Sequence, residues 1–230
     1  MQACKRGQPC AYFKDGALVF FDGAVEIRLI AVSDIPVTLL GAAKHNIRNA
    51  LAAACVCTAL GASTDPIHAG LSGFVSDAKN NPGRFNEFTC NGAKIIVDFA
   101  HNAHNAHSIA AVCDAMASIS SERRFLLLSQ PGDRSDQNIT EVTLTALQFN
   151  PDLIVIAEIA DYLRGRSLGE VPDQIRTSAI AAGFPADKIL QVGSPSAGTR
   201  LVLETVRPGD LVLLLVLSDR DAVFEALTAL

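Results

Sequence analysis

The chain has 230 residues, of which 49% are hydrophobic and 19% are charged, and its formal net charge at pH 7 is −5. This composition is typical of a globular protein with a sizeable core and excludes a disordered chain. The negative charge argues against a nucleic acid or an anionic membrane as partner, and the longest apolar run, Leu211–Leu217, is far too short to span a bilayer.

The six cysteines contain no C-x-x-C pair, and several lie in apolar stretches. We therefore expect free, buried thiols in a reducing cytosol rather than a zinc site. No charged segment followed by an apolar one opens the chain, so no secretory signal is predicted. These observations predict a cytoplasmic protein.

The first third of the chain predicts a small antiparallel sheet followed by two helices. Asp-Gly turns, a strong hairpin signal, separate three β-rich runs. The runs are 11–13, 18–21 and 26–30. Apolar spacing then predicts helices over Lys44–Leu60 and Asp65–Phe74, and the polar stretch Asp77–Gly83 predicts a linker. Because three strands fold poorly alone, this region is interpreted as the edge of a larger domain.

Strands and helices alternate over the rest of the chain. The predicted strands are 85–90, 93–99, 124–129, 152–156, 188–192 and 210–216. The predicted helices are 103–117, 137–148, 171–182, 196–206 and 219–229. This alternation predicts an α/β fold with a mostly parallel, Rossmann-like sheet covered on both faces. Ligands of such sheets bind beyond the carboxyl ends of the strands, so the residues that follow each strand are candidates for a site.

The strand 93–99 leads into Asp98-Phe99-Ala100-His101-Asn102. An acid at this position can accept hydrogen bonds from ribose hydroxyls, and the start of the next helix favours phosphate. On its own, Asp98 is equally well explained as a helix cap. His101, His104 and His107 do not share one helix face, because each three-residue step turns a helix by about 300°. A metal site is therefore not predicted there.

Arginines follow the next two predicted strands. Arg134 lies in Pro131-Gly132-Asp133-Arg134-Ser135-Asp136, where glycine allows close approach of a ligand and the guanidinium can bind a carboxylate or phosphate. Arg164 and Arg166 flank a glycine in the following loop and suggest anion recognition. Each loop alone is better explained as an ordinary turn with solvated charges. All three loops nevertheless belong to one predicted edge of the sheet.

Four further candidates lie earlier in the chain. Arg84 begins the predicted second domain and either faces an interdomain cleft or is a surface charge. His45, Asn46 and Asn49 lie near the start of the helix 44–60. Asparagine amides pair with an adenine edge because they offer a donor and an acceptor, although polar residues also cap a first helical turn.

Taken in order, these motifs resemble the Mur ligase superfamily. They are G-x-x-x-H-N-x-x-N-A-L-A-A, P-G-R-F, D-F-A-H-N, G-D-R and L-R-G-R. The resemblance covers nearly the whole chain, and 131–136 and 163–170 look most like the cyanophycin synthetase branch. By contrast, Leu217-Ser218-Asp219-Arg220 does not match the family's usual closing strand.

The resemblance implies two domains. Residues 1–62 correspond to the β-hairpin and helix tail of the ATP-binding central domain, and 63–230 to the Rossmann-like C-terminal domain. The family's G-x-x-G-K-[ST] loop, Mg²⁺-binding acid and carbamylated-lysine region have no counterpart in the sequence. The resemblance therefore implies a chain that is inactive alone, uses ATP and Mg²⁺ with the metal ligands outside it, and needs further ligase domains in cis or in trans.

Ligases of this family use ATP to convert a carboxylate to an acyl phosphate, which an amine attacks. The resemblance implies that His45, Asn46 and Asn49 lie by the adenine, and that Arg84 and Asp98 contact ribose and phosphates.

The remaining roles are also implied by resemblance. His101, a catalytic residue, and Asn102 would lie near the triphosphate and the amine. Arg134, also catalytic, would line the acceptor or amino-acid side with Arg164 and Arg166. The cyanophycin synthetase branch implies arginine as the amino acid and poly-aspartate as the acceptor. A folylpolyglutamate or peptidoglycan-type ligase, a non-catalytic nucleotide- or peptide-binding module, and a homo-oligomer stay open.

Overall fold

The computed structural model describes residues 7–38, 41, 43–99, 106–117 and 119–229, except for the side chains of 106–108. It divides into two compact units, Met1–Ser76 and Asp77–Leu230. The division falls at the start of the stretch predicted as a linker.

The first unit is a three-stranded antiparallel sheet packed with two helices. Its strands are β1 Cys10–Lys14, β2 Ala17–Phe21 and β3 Glu26–Ala31, in that order. Its helices are α1 Lys44–Ala59 and α2 Thr64–Gly73, and two short 3-10 turns, Val32–Asp34 and Pro36–Thr38, precede them. Asp15 and Gly16 have φ values of 49° and 73°, as an Asp-Gly hairpin turn requires.

Helix α2 belongs to the core of this first unit, whereas the family resemblance implied a domain boundary after residue 62. Ile67 of α2 is buried in one cluster with Ile30, Ile35 and Ala54. Burial of its apolar face against the small sheet explains why α2 stays with the first unit.

The second unit contains a six-stranded sheet in the order β4-β5-β9-β6-β7-β8. Its strands are β4 Asn86–Cys90, β5 Ala93–Asp98, β6 Arg124–Leu128, β7 Leu153–Ala157, β8 Ile189–Val192 and β9 Leu211–Leu215. Its helices are α3 Ala106–Ala117, α4 Asp136–Ala146, α5 Glu170–Ala181, α6 Pro195–Thr205 and α7 Arg220–Thr228. Strand β4 is antiparallel to β5, and every other pairing is parallel. The predicted mostly parallel α/β sheet is confirmed.

Strand β9, the last along the chain, lies between β5 and β6. Leu215 at its end is in register with Asp98 on one side and Leu128 on the other. The four parallel strands β5, β9, β6 and β7 therefore end at one edge, and this confirms that the three predicted loops leave the sheet together.

The cysteines confirm the prediction of free thiols only in part. Cys55, Cys57, Cys90 and Cys113 are free, but Cys57 is exposed. Cys10 is disulfide-bonded, so the prediction is wrong for that residue. A C-x-x-C pair is not needed for a disulfide, because the folded backbone sets the distance between two cysteines.

Two features are absent from the described part of the chain. None of its helices is both long and apolar enough to cross a bilayer. Nor does it contain a group of three or more His, Cys, Asp or Glu side chains placed to hold a metal ion.

Candidate functional site

The Asp98 carboxylate connects the end of β5 to the P-G-R-F turn. Asp98 is 7% exposed, and its Oδ2 accepts a hydrogen bond from the Phe85 backbone N–H at 3.0 Å. Phe85 has a φ of 54°, a left-handed conformation that is strained for a bulky residue. The carboxylate thus stabilises the turn from which the exposed Arg84 projects. The structure thus brings the Arg84 backbone next to Asp98.

Gly83 allows this turn to pack on the end of β5. A Cβ at Gly83 would lie 1.9 Å from the Phe99 ring, and its φ of 72° also favours glycine. The Gly83 carbonyl accepts a hydrogen bond from the Phe99 N–H at 2.9 Å. The buried Asn86 side chain accepts from the Gly83 N–H and donates to the Asn81 carbonyl. The backbone on both sides of Arg84 is therefore held in place.

The loops that follow β6 and β7 are in direct contact. The Gly132 N–H donates to the Tyr162 carbonyl at 2.8 Å. A Cβ at Gly132 would lie 2.0 Å from the Leu163 carbonyl oxygen, so no other residue fits without moving one of the loops. The G-D-R and L-R-G-R motifs consequently form one surface.

Arg134 and Arg164 retain donors on that surface. The Arg134 side chain is 30% exposed, and its Nε lies 3.8 Å from an Asp133 carboxylate oxygen, which is beyond hydrogen-bond distance. This Nε is buried and has no hydrogen-bond partner. Arg164 is exposed, with its guanidinium carbon 5.1 Å from the centre of the Tyr162 ring. Arg134 thus keeps one unpaired donor, and the Arg164 side chain is open to solvent.

The guanidinium of Arg166 makes contacts of another kind. It donates to the Gly132 and Arg134 carbonyls at 3.0 and 2.7 Å. It also pairs with Asp136 at 2.7 Å and with Glu170 at 2.9 Å. The hydrogen bond to Asp136, with that to Glu170, raises the pKa of Arg166 above its ordinary value. The Arg166 side chain therefore bonds mainly within the protein.

The loop after β9 supplies residues that the sequence analysis did not select. Asp219 has a φ of 58°, and its carboxylate accepts from the Ser196 N–H at 3.0 Å. The Arg220 guanidinium carbon lies 4.1 Å from the centre of the Phe99 ring, and Arg220 Nε donates to the Leu217 carbonyl. Two charged residues directly after a buried strand were the available signal. Their importance depends on the central position of β9, which chain order does not reveal.

Gln130 is a second residue that was missed. It is 2% exposed and follows β6, and its Nε2 donates to the Ser129 carbonyl at 2.9 Å. Its Oε1 has no hydrogen-bond partner. The available signal was an amide residue between an apolar strand and Pro-Gly-Asp-Arg. A buried amide at such a position is notable because buried polar groups are normally paired.

In the first unit, the predicted adenine residues lie at the start of α1. Asn46 Nδ2 donates to the Val37 carbonyl at 2.6 Å, and Asn46 Oδ1 accepts from Asn49 Nδ2 at 3.3 Å. His45 is half-buried, and its Nδ1 is buried without a hydrogen-bond partner. Burial lowers the pKa of His45, and the positive charge of Arg48 lowers it further. The neutral imidazole is therefore favoured at neutral pH.

His101 and Asn102 lie outside the described residues, so their predicted roles stay predictions.

Comparison with known proteins adds family relationships. The family described as "Mur ligase, glutamate ligase domain" matches residues 83–215. Cyanophycin synthetase of Synechocystis sp. is 33% identical over 171 residues, which cover 74% of this chain and 19% of the relative. The UDP-N-acetylmuramoyl-L-alanyl-D-glutamate--L-lysine ligase of Streptococcus suis is 31% identical over 176 residues, covering 68% and 34%. The chain thus spans about a fifth of the length of the cyanophycin synthetase and a third of that of the lysine ligase.

Solved structures share the fold. E. coli FolC in complex with ADP has a TM-score of 0.65 at 17% identity, covering 95% of this chain and 46% of FolC. A murein peptide ligase of Psychrobacter arcticus has a TM-score of 0.62 at 16% identity, covering 96% and 43%.

Proposed function

Because this chain belongs to the Mur ligase family by the match of its residues 83–215, we propose that it is the C-terminal part of an ATP-dependent ligase that joins an amino acid to a carboxylate. The observation that carries this proposal is the shared edge of the sheet. The turn with Arg84 and Asp98 and the loops with Arg134 and Arg164 all lie at the ends of parallel strands. An edge of this kind is where α/β sheets bind nucleotides and substrates.

The residues fit a nucleotide. A carboxylate at a strand end beside an exposed arginine suits ribose hydroxyls and phosphates, and we assign Asp98 and Arg84 to them. We assign His45, Asn46 and Asn49 to the adenine by family resemblance; of these three, His45 retains a ring nitrogen, Nδ1, that has no hydrogen-bond partner.

His101 and Asn102 are assigned to the triphosphate and the incoming amine by family resemblance. ATP would bring Mg²⁺, which neutralises phosphate charge, with its protein ligands outside this chain.

Arg134 and Arg164 support a carboxylate substrate. In the proposed reaction the carboxylate takes the terminal phosphoryl group of ATP and becomes an acyl phosphate, with release of ADP. The amine then attacks the acyl carbon, the amide bond forms, and phosphate and a proton leave. We assign Arg134 to this carboxylate, where its positive charge would offset the negative charge of the carboxylate and of the tetrahedral intermediate.

The relatives support the identity of the substrates. The resemblance to cyanophycin synthetases favours arginine as the amino acid and an aspartate side chain of poly-aspartate as the acceptor. A second candidate is a peptidoglycan-type ligase, which the lysine ligase of Streptococcus suis favours.

The proposed enzyme needs more than this chain. No G-x-x-G-K-[ST] loop occurs in the sequence, and the two relatives described above are about four times and about twice as long as this chain. We propose that the chain works in the cytoplasm with the remaining ligase domains, in cis or in trans, and has no turnover alone.

Binding by the 230-residue chain tests the assignments. In NMR titrations we expect Mg-ATP and a capped tri-aspartate peptide to bind weakly, with dissociation constants of about 1 mM, because the proposed sites need the further ligase domains to be complete. Asp98→Ala should weaken binding of Mg-ATP, and Arg134→Ala should weaken binding of tri-aspartate more than of Mg-ATP. Arg176→Ala, on α5, is the control and should change neither.

Several results would contradict the proposal. If Mg-ATP does not perturb the amides around Phe85 and Phe99, the nucleotide assignment fails. If a muramoyl peptide binds and tri-aspartate does not, the peptidoglycan-type alternative replaces the aspartate acceptor. ATP-dependent ligation by the purified chain would show that the proposed dependence on further domains is wrong.

A further inference from the structure

We propose that Arg166 is a positioning residue: it bridges the G-D-R and L-R-G-R loops and thereby sets where Arg134 meets its carboxylate ligand. The bridge itself is independent of the reaction. Only the identity of the ligand rests on the proposed function.

Arg166 has few donors left for a substrate. An arginine side chain carries five N–H donors in a planar fork. Four of them are engaged, by the Gly132 carbonyl, the Arg134 carbonyl, Asp136 and Glu170. The Arg166 side chain is also only 17% exposed. These contacts distinguish it from Arg164, which is exposed in the same loop.

The acceptors of Arg166 surround Arg134 along the chain. Arg166 donates to the carbonyl of Gly132, two residues before Arg134, and to the carbonyl of Arg134 itself. It also donates to the carboxylate of Asp136, the first residue of α4. The Gly132 N–H is held by the Tyr162 carbonyl in addition. The backbone that carries Arg134 is thus fixed on both sides, while the Arg134 side chain is 30% exposed and open to a ligand. A side chain whose backbone is held in place before a ligand arrives needs less reorganisation when it binds.

The loop that carries Arg166 is itself anchored. Glu170 accepts from the Arg166 guanidinium through one oxygen and from the Ser167 N–H through the other, at 3.0 Å. The buried Glu158 accepts from the Ile159 N–H at 2.9 Å and from the Gly169 N–H at 2.6 Å. Both ends of the loop are therefore held by carboxylates, and the bridge joins two ordered segments.

Lysine cannot replace this arginine in the bridge. An ammonium group can pair with Asp136 or Glu170, but it lacks the planar fork that reaches two carbonyls and two carboxylates together. Arg166→Lys therefore keeps the charge and removes the bridge. Arg166→Gln removes both, and Arg176→Gln is the matched control, because Arg176 of α5 makes a single 3.3 Å hydrogen bond, to the Ala186 carbonyl.

Hydrogen exchange of the Gly132 amide tests the bridge. We expect this amide to exchange at least about tenfold faster in Arg166→Lys and Arg166→Gln than in the wild type and in Arg176→Gln. Asp136→Asn, which weakens one contact only, should give a smaller change of the same sign and covers the case in which an Arg166 variant fails to fold. Unchanged exchange in folded Arg166→Lys and in Asp136→Asn would overturn the bridge.

A double-mutant cycle with Arg134→Ala tests positioning, with capped tri-aspartate as the probe. Arg166→Lys should lower the affinity about tenfold in the wild-type background and produce no further loss in the Arg134→Ala background. Additive losses would instead assign Arg166 a direct ligand contact and overturn the positioning role. If the wild type does not bind tri-aspartate but Gly132 exchange accelerates in the Arg166 variants, the bridge is supported and the proposed carboxylate ligand is wrong.

Discussion

Replacing Gly132 with alanine tests how closely the two arginine loops approach each other. The added Cβ would lie 2.0 Å from the Leu163 carbonyl oxygen and 2.7 Å from its carbon, and both are backbone atoms that cannot rotate away. The loops must separate by about 1 Å to restore a normal contact, and the Gly132–Tyr162 hydrogen bond is lost. Overpacking of about 1–3 kcal/mol and a lost hydrogen bond of about 1 kcal/mol predict a destabilisation of about 2–4 kcal/mol.

Thermal unfolding measures this destabilisation. In a chain of this size each kcal/mol lowers the melting temperature by about 2–4 °C, so Gly132→Ala should lower it by about 4–16 °C. Gly193→Ala is the control, because a Cβ there would meet nothing within 4 Å. That control should change the free energy of unfolding by no more than about 0.5 kcal/mol. Equal melting temperatures for the two variants would refute the close contact of the loops.

Two further predictions concern buried ionisable groups in the second unit. Burial alone would raise the pKa of Asp210, but hydrogen bonds led by those from Arg123 hold it below its ordinary value. Asp210→Asn should therefore lose about 1.5–3 kcal/mol at pH 7 in chemical unfolding, and the difference from wild type should shrink at acidic pH as the Asp210 carboxyl becomes protonated. An undiminished difference at low pH would contradict this account. Burial raises the pKa of Cys113 to about 12, so iodoacetamide at pH 8 should label the exposed Cys57 and leave Cys113 unlabelled by mass spectrometry. Equal labelling would contradict the burial of Cys113.

The sequence predicts the elements well because helix and strand periodicity is local. The helix predicted over Lys44–Leu60 ends one residue earlier, at Ala59. Small differences at other ends have local causes. The helix expected from residue 137 begins at Asp136, because the Ser135 side chain caps it by accepting from the Asn138 N–H.

Interactions between distant residues were beyond the sequence. The acceptor role of Asp98 was read as ribose binding or as a cap of the following helix. Neither interpretation includes the hydrogen bond that the carboxylate accepts from the Phe85 N–H, 13 residues earlier in the chain. Likewise, nothing in the L-R-G-R motif distinguishes Arg164 from Arg166. Only the folded loops show that Arg166 reaches Gly132, 34 residues away.

The central position of β9 has a consequence for biosynthesis. The ribosome synthesises the chain from the amino to the carboxyl end, so Leu211–Leu215 emerge after every other strand of the sheet. Until then β5 and β6 lack the neighbour that joins them, and each exposes a row of unpaired backbone groups. The nascent unit therefore holds two separate strand groups, β4-β5 and β6-β7-β8, and a stop codon that removes β9 would leave them unjoined and prone to aggregate.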